Sequence, residues 1–418
     1  MSVDAGRHDP ASAASAARGM VRYSVDKDRP DDAWIAALRQ WFPVETEIDR
    51  VLTRKLKNRS GLGYLPQSLQ MLVDGAASLI AAWHEGPFEL LTPRWLSGGA
   101  SKLQMAFVLR WSPGGGAVRE TPMVLRMEPA ASVCETSRQR EFELLQAMQG
   151  IVPCPQPWWV DADGSHLAYP ALIYGFAEGV TKPSRTTSNV SGLGTNLGPD
   201  LRHRLAPEFM TQFAAIHLHP VDDPRLVHFD TPSLPTQPAE WALNWWERVW
   251  EEDCDDDVPL MRLAAAWMRG HLPTTDRLSI IHGDYRTGNF LFDESEARIT
   301  AWLDWELGHI GDRHEDLAWS MSTAFGHSAE TGGDFLVCGL LPERAFLEAY
   351  TAASGLAVDM TTLHFYRVLS AYKAIAIVLA AGYRNARNGK SHQDVLLVWL
   401  MGLAAPLLGE LATLLEAG

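Results

Sequence analysis

Three oxygen-bearing side chains stand at a spacing that chemistry can use. In His282-Gly283-Asp284-Tyr285-Arg286-Thr287-Gly288-Asn289, an aspartate and an asparagine lie five residues apart, and Asp304 follows 20 residues after Asp284 in Leu303-Asp304-Trp305-Glu306. An aspartate can accept or align the proton of an attacking hydroxyl. Asparagine and aspartate oxygens are hard donors of the kind that hold Mg²⁺ against phosphates. Phosphoryl transfer needs both, and asks the protein for little beyond position and charge.

Such groups need elements to hold them. Upstream, 88–96, 103–111 and 121–127 read as three strands of an antiparallel meander, followed by an amphipathic helix over 134–149 and a strand over 168–176. Ser97-Gly98-Gly99-Ala100-Ser101 joins the first two strands, and the second Gly run, Ser112 to Gly116, reads as a plain hairpin turn. Downstream the pattern is helical: 206–219, 238–252, 258–271, 314–323, 342–353, 361–387 and 392–415, with two short apolar segments around a loop between 279 and 305. Before the strands, Asp31 caps a helix carrying Trp34, Ile35, Leu38 and Trp41, and 69–83 forms another.

His282-Gly-Asp284-x-x-x-x-Asn289 with Leu303-Asp304-Trp305-Glu306 has the order of the H-R-D-x-x-x-x-N and D-F-G pair of protein kinases. The fuller pattern HGDYRTGNFLF…AWLDWELGHIGDRHEDLAW resembles the aminoglycoside phosphotransferase-like small-molecule kinases, and looks like the branch containing the kinase domain fused to some acyl-CoA dehydrogenases. The resemblance covers residues 90–418. It implies an α+β, bilobal protein-kinase-like fold, with ATP and Mg²⁺ as cofactors. The small N-lobe would carry the antiparallel sheet and one helix, and the larger C-lobe would be mainly helical. By it, 91–177 is the nucleotide-binding N-lobe and 178–418 the C-lobe; outside it, the Ala/Ser/Asp-rich residues 1–30 read as a flexible tail and 31–90 as a helical N-terminal extension.

The same resemblance assigns roles. Asp284 becomes the catalytic base, and Asn289 and Asp304 the metal ligands. His282 orients the catalytic loop, and Arg286 stands by the transferred phosphate or serves as a local cation. Ser97, Gly98, Gly99, Ala100 and Ser101 cover the phosphates, since small residues let backbone N–H groups approach. Arg126 takes the place of the usual lysine on the α/β-phosphates, as a planar fork rather than a point charge. Glu141 is the best placed acid to pair with it, Glu135 and Glu143 being rivals. Ile173 and Gly175 fall on the strand leading to the hinge against which adenine packs.

Other features fit a structural role. Gly389-Lys390-Ser391 lacks the first Gly and the strand of a P-loop. His217 and His219 lie at a helix end and share no face. Asp316 anchors the loop or caps the next helix. Trp241, Trp245, Trp246 and Trp250 read as a packed helix with a solvated acidic end, the rival being an acidic wall for a cationic sugar. Arg384 and Arg387 could meet an anionic substrate tail.

Composition sets limits. With 36 basic and 51 acidic residues the net charge is −15, which argues against nucleic acid as a partner. Four scattered cysteines suit a reducing cytoplasm, and the N-terminus shows no apolar signal region. The apolar run 395–409 has 15 residues, short of the roughly 20 that span a membrane, so a buried helix is expected and no membrane partner. The expectation is therefore a kinase acting on a hydroxyl of a small molecule, a hydroxyacyl compound or its CoA thioester first, an aminoglycoside or macrolide second. A catalytically weak nucleotide-binding regulator is the alternative of another class. ATP against GTP, a homodimer, and the purpose of 1–90 stay open.

Overall fold

The protein is described from a computed structural model covering residues 25–96, 102–184, 193–330 and 332–418. The expected phosphate-covering turn at 97–101, and the tail to residue 24, lie outside the described residues. Residues 25–30 do not behave as a loose tail: Lys27 is buried, donating to the carbonyls of Glu251 and Cys254 at 2.6 Å each.

Three helices come first: α1 (Asp32–Trp41), α2 (Thr46–Lys57) and α3 (Leu69–Trp83). The Asp31 carboxylate accepts from the Trp34 amide and caps α1, as expected. Strands β1 (Phe88–Trp95), β2 (Leu103–Trp111), β3 (Arg119–Met127), β4 (Pro157–Asp161) and β5 (Ala171–Gly175) form an antiparallel sheet in the order β1-β2-β3-β5-β4. Alternation along the strands builds two faces. Met105, Leu125 and Ile173 pack on Leu72, Ala76 and Ile80 of α3. Val124, Leu172 and Tyr174 face the other way and join the core shared with the C-lobe. So α3 belongs to the N-lobe, closing the outer side of its sheet. Helix α4 (Arg138–Met148) covers the inner side, capped by the Ser137 hydroxyl. It starts later than expected because residues 129–137 cross to the C-lobe, where Ser132 accepts from Asn385 and Ala131 donates to Lys390.

The C-lobe holds α5 (Pro199–Leu218), α6 (Gln237–Asp253) and α7 (Pro259–Gly270). Two strand pairs follow, β6 (Leu278–Ile281) with β9 (His309–Asp312) and β7 (Phe290–Asp293) with β8 (Arg298–Trp302). Helices α8 (His314–Ser320), α9 (Glu343–Ser354) and α10 (Met360–Ile375) come next. A π-helical turn, Ala376–Gly382, leads into α11 (Tyr383–Arg387), then α12 (Asp394–Leu400) and α13 (Ala404–Ala417).

The structure corrects three expectations here. The acidic end of α6 is not solvated: buried Glu252 and Asp253 hold Lys55 of α2 at 2.8 and 2.9 Å, and Asp253 also pairs with Arg59. Arg384 and Arg387 are not free for an anionic substrate, because both are paired with Asp28 and Asp255. The apolar run at 395–409 is not a buried helix. It lies within a 24-residue helical stretch, long and apolar enough to cross a membrane and only 17% buried in its most apolar window. Val395 and Trp399 are exposed at its start, while Leu397, Leu407 and Leu411 face inward.

Candidate active site

The loop between β6 and β7 carries Asp284 and Asn289, and its shape is fixed from beneath. Tyr285 is fully buried between the rings of Phe213 and Trp302, with both centroids at 3.9 Å, and its hydroxyl donates to the Phe209 carbonyl at 2.6 Å. Gly283 has φ +80°, and a Cβ there would lie 2.7 Å from Leu307, so only glycine fits. The buried Asp316 carboxylate accepts the amides of His282 and Gly283 at 2.7 and 2.8 Å, which makes it the anchor of this loop. His217 joins it to Tyr350, so the two expected structural roles coincide in one network.

His282 is buried beneath the loop. Its Nδ1 accepts the Asp284 amide at 3.2 Å, so Nε2 carries the proton and faces the Leu303 carbonyl at 3.0 Å. Burial lowers its pKa, outweighing Asp316, Asp284 and Asp304. A neutral ring thus ties the loop to the residue before Asp304.

The Asp284 carboxylate is held by three donors: the Trp319 indole at 2.6 Å, Arg286 Nε at 2.8 Å and Asn289 Nδ2 at 2.5 Å. Asn289 Nδ2 also reaches the Asp284 carbonyl, which leaves its Oδ1 for another partner. Asp304 sits in the left-handed region at φ +58°, a conformation costing an aspartate on the order of 1 kcal/mol. That turn aims its carboxylate at β3, where Arg126 Nη1 meets it at 2.7 Å and Glu141 at 2.9 Å. Glu141 is therefore the acid that α4 brings to Arg126. The rivals are engaged elsewhere, Glu135 with the Ser132 amide and Glu143 with His228.

A family model described as the phosphotransferase enzyme family matches residues 72–366. This chain belongs to that family, abbreviated APH. Its members are small-molecule phosphotransferases, and the described lobes share their kinase-like fold. A Ralstonia eutropha protein assigned to the aminoglycoside phosphotransferases superimposes with a TM-score of 0.58 at 20% identity, over 82% of this chain and 98% of that one. A thermostable mutant of aminoglycoside phosphotransferase APH(4)-Ia, in ternary complex with AMP-PNP and hygromycin B, gives a TM-score of 0.51 at 16% identity, over 81% of this chain and 98% of its own. Acyl-CoA dehydrogenase family member 11 is 28% identical in Gallus gallus, over 51% of this chain and 31% of that protein. In Homo sapiens it is 23% identical, over 64% of this chain and 34% of that protein. The chain thus spans about a third of the length of these relatives.

Within this APH site the hinge expectation needs correction. Ile173 does not touch the cleft: β3 and β4 flank its backbone, and its side chain packs on the α3 side. The Gly175 amide donates to the Gln156 carbonyl at 2.8 Å, and the chain leaves the sheet at half-exposed Phe176. Of four further residues gathered here, Glu306, Trp319 and Lys373 were given no role by the sequence, and Lys102 was read only as the end of the phosphate-covering turn. Buried Lys102, directly after the phosphate-covering segment, reaches Glu306 at 3.1 Å and Ser132 at 2.7 Å. Glu306 also binds Arg138 at 2.8 Å and Arg126 at 3.4 Å, and these three cations hold its carboxyl well below the usual range against burial. Trp319 holds Asp284, and Lys373 donates to the Gly283 carbonyl at 2.6 Å. The Asp-x-Glu spacing of Asp304 and Glu306 was a readable signal for one of the four.

Proposed function

We propose that this chain transfers the γ-phosphoryl group of ATP to a hydroxyl of a small acyl-bearing metabolite, a hydroxy acid or its CoA thioester. The observation that supports it is that Asp284 and Asn289 are bonded to each other, the Asn289 backbone carbonyl accepts from the amide of Leu303 next to Asp304, and Asp304 meets Arg126, which Glu141 holds. Asp284 is the proton acceptor in this reading: Trp319 and Asn289 fix its orientation, so a hydroxyl docks to a preset oxygen. The acceptor oxygen bonds to phosphorus, the bond from phosphorus to the ADP oxygen breaks, and ADP leaves with that electron pair. The hydroxyl proton passes to Asp284. Arg126, kept in place by Glu141 and Glu306, holds the α/β-phosphates, and Arg286 stands beside the transferred group.

Mg²⁺ fits the donors present. Asn289 spends its amide hydrogens on Asp284 and keeps Oδ1, and Asp304 adds a carboxylate that is partly exposed to the cleft. Two hard oxygens from the protein suit an ion that takes its remaining ligands from phosphates and water. Bound there, Mg²⁺ would neutralise phosphate charge and polarise the γ-phosphoryl group.

The acyl acceptor draws support from relatives named for acyl-CoA dehydrogenases. An aminoglycoside is less favoured, because three of the acidic residues of α6 are already paired, Glu252 and Asp253 with Lys55 and Arg59 and Glu247 with Arg269. The test is Mg·ATP consumption against hydroxy acids, hydroxyacyl-CoAs, aminoglycosides and macrolides. We expect turnover on an acyl acceptor, reduced about 10²–10⁴-fold by Asp284→Asn with nucleotide binding retained. Turnover on antibiotics alone, or turnover indifferent to Asp284→Asn, overturns the reading.

A further inference from the structure

Among the described residues, each cation around Asp284 and Asp304 has a carboxylate partner except one. Arg126, Lys102 and Arg138 share Glu141 and Glu306, and Arg286 pairs with Asp284. Lys373, on α10, is 3% exposed and pairs with no carboxylate among the described residues. Its Nζ donates to the carbonyl of Gly283, the residue before Asp284, at 2.6 Å. It stands 4.1 Å from the ring centre of Trp319 and 5.3 Å from that of Trp246. Trp319 is itself bonded to Asp284, so one side chain separates the ammonium from the carboxylate.

A desolvated ammonium without a counter-charge is costly. One carbonyl and two ring faces compensate in part, yet an ammonium has three donors and the carbonyl uses one. Through the Gly283 carbonyl and the Trp319 indole, Lys373 lies beside the Asp284 loop rather than in a remote part of the core.

We propose that Lys373 reads the acceptor, its ammonium taking a carboxylate or acyl carbonyl oxygen close to the hydroxyl that faces Asp284. This rests on the phosphotransferase reading and sharpens it. The oxygen completes a charge the fold leaves unmatched, whereas the ammonium groups of a polyamine sugar would meet a like charge there.

The test compares wild type, Lys373→Met and Lys373→Arg on matched hydroxy acids, hydroxyacyl-CoAs, and diols of equal length without a carbonyl. Mg·ATP affinity and far-ultraviolet circular dichroism are followed in parallel. We expect Lys373→Met to raise KM for the acyl acceptor about 10- to 100-fold, the size of one charge-assisted hydrogen bond. Lys373→Arg should restore most of it, with Mg·ATP affinity unchanged and diols used poorly by all three proteins. Turnover of acids alone marks the oxygen as a carboxylate, and turnover of thioesters alone marks it as a carbonyl; both support the proposal. An unchanged KM in Lys373→Met, or equal use of diols by wild type, overturns it while leaving hydroxyl phosphorylation standing. Loss of acceptor and Mg·ATP binding together, unrelieved by arginine, means that Lys373 only braces the Gly283 carbonyl, and also overturns it. Turnover on aminoglycosides alone, or on nothing offered, sinks both readings.

Discussion

His282 shows how one buried side chain couples the reacting loop to pH. It has to be neutral to accept the Asp284 amide, and burial keeps it so by lowering its pKa. The unfolded chain takes up a proton at this imidazole near pH 6.5, and the folded chain does not. More protons on the unfolded state means that stability rises with pH across this window and is lost as pH falls below about 6.5. His309, raised by Glu315 despite its burial, contributes in the opposite sense, its share being lost as pH rises above its unfolded value. The comparison is therefore between two proteins that both retain His309. Wild type should lose melting temperature between about pH 6.5 and 5.5 more steeply than His282→Asn. Equal slopes would remove His282 as the cause. Residues at this scale were legible where chemistry imposes a spacing, as with Asp284, Asn289 and Asp304. Trp319 and Lys373 were not, because they reach the loop from 35 and 90 residues away.

Helix α2 makes the corresponding point for elements. Its sequence TEIDRVLTRKLK carries Ile48, Val51, Leu52 and Leu56 among many charges, and no helix was read there. The charges are part of the packing. On one side Lys55 meets Glu252 and Asp253 of α6, with all three side chains 5% exposed or less. On the other, Arg54 begins an alternating chain through Glu128, Arg138, Glu141 and Arg126 to Asp304. Neither role can be seen without the partners, and the acidic end of α6 misled for the same reason. Strands β1, β2, β3 and β5 and most helices were legible because their apolar period stands on its own, as in β2 and α6, whereas β4 was not read. Lys55→Met would leave Glu252 buried with Arg248 alone, and Asp253 with Arg59. Removing one partner from a buried pair costs about 3–5 kcal/mol, so urea denaturation should register a loss of that order. A loss below about 1 kcal/mol, the worth of an exposed pair, would mean that α2 merely rests on the lobes.

At the scale of the molecule these contacts decide how freely the lobes move. The larger core is continuous across them: Val124, Leu172 and Tyr174 of the sheet, Leu144 and Met148 of α4, and Ile48 and Leu52 of α2 pack into one cluster with α5, α6 and α10. Ser132 adds a tether by accepting from Asn385. A kinase-like fold read from its motifs alone suggests two lobes that close on nucleotide. The sequence could not reveal this brace, because the 31–90 segment that supplies it lies outside the pattern that carried the resemblance. The C-terminal stretch erred the other way: its apolar composition suggested burial, but little of the chain covers the outer face of Val395 and Trp399. A braced pair of lobes should behave like a preorganised receptor, whose backbone moves by about 1 Å or less on binding. The radius of gyration from small-angle scattering should then stay constant within error when Mg·ATP is added to wild type. In Lys55→Met the brace is cut at α6, so the free protein should be larger and should contract on nucleotide. A wild-type protein that contracts as much as the variant would show that α2 follows the lobes instead of holding them.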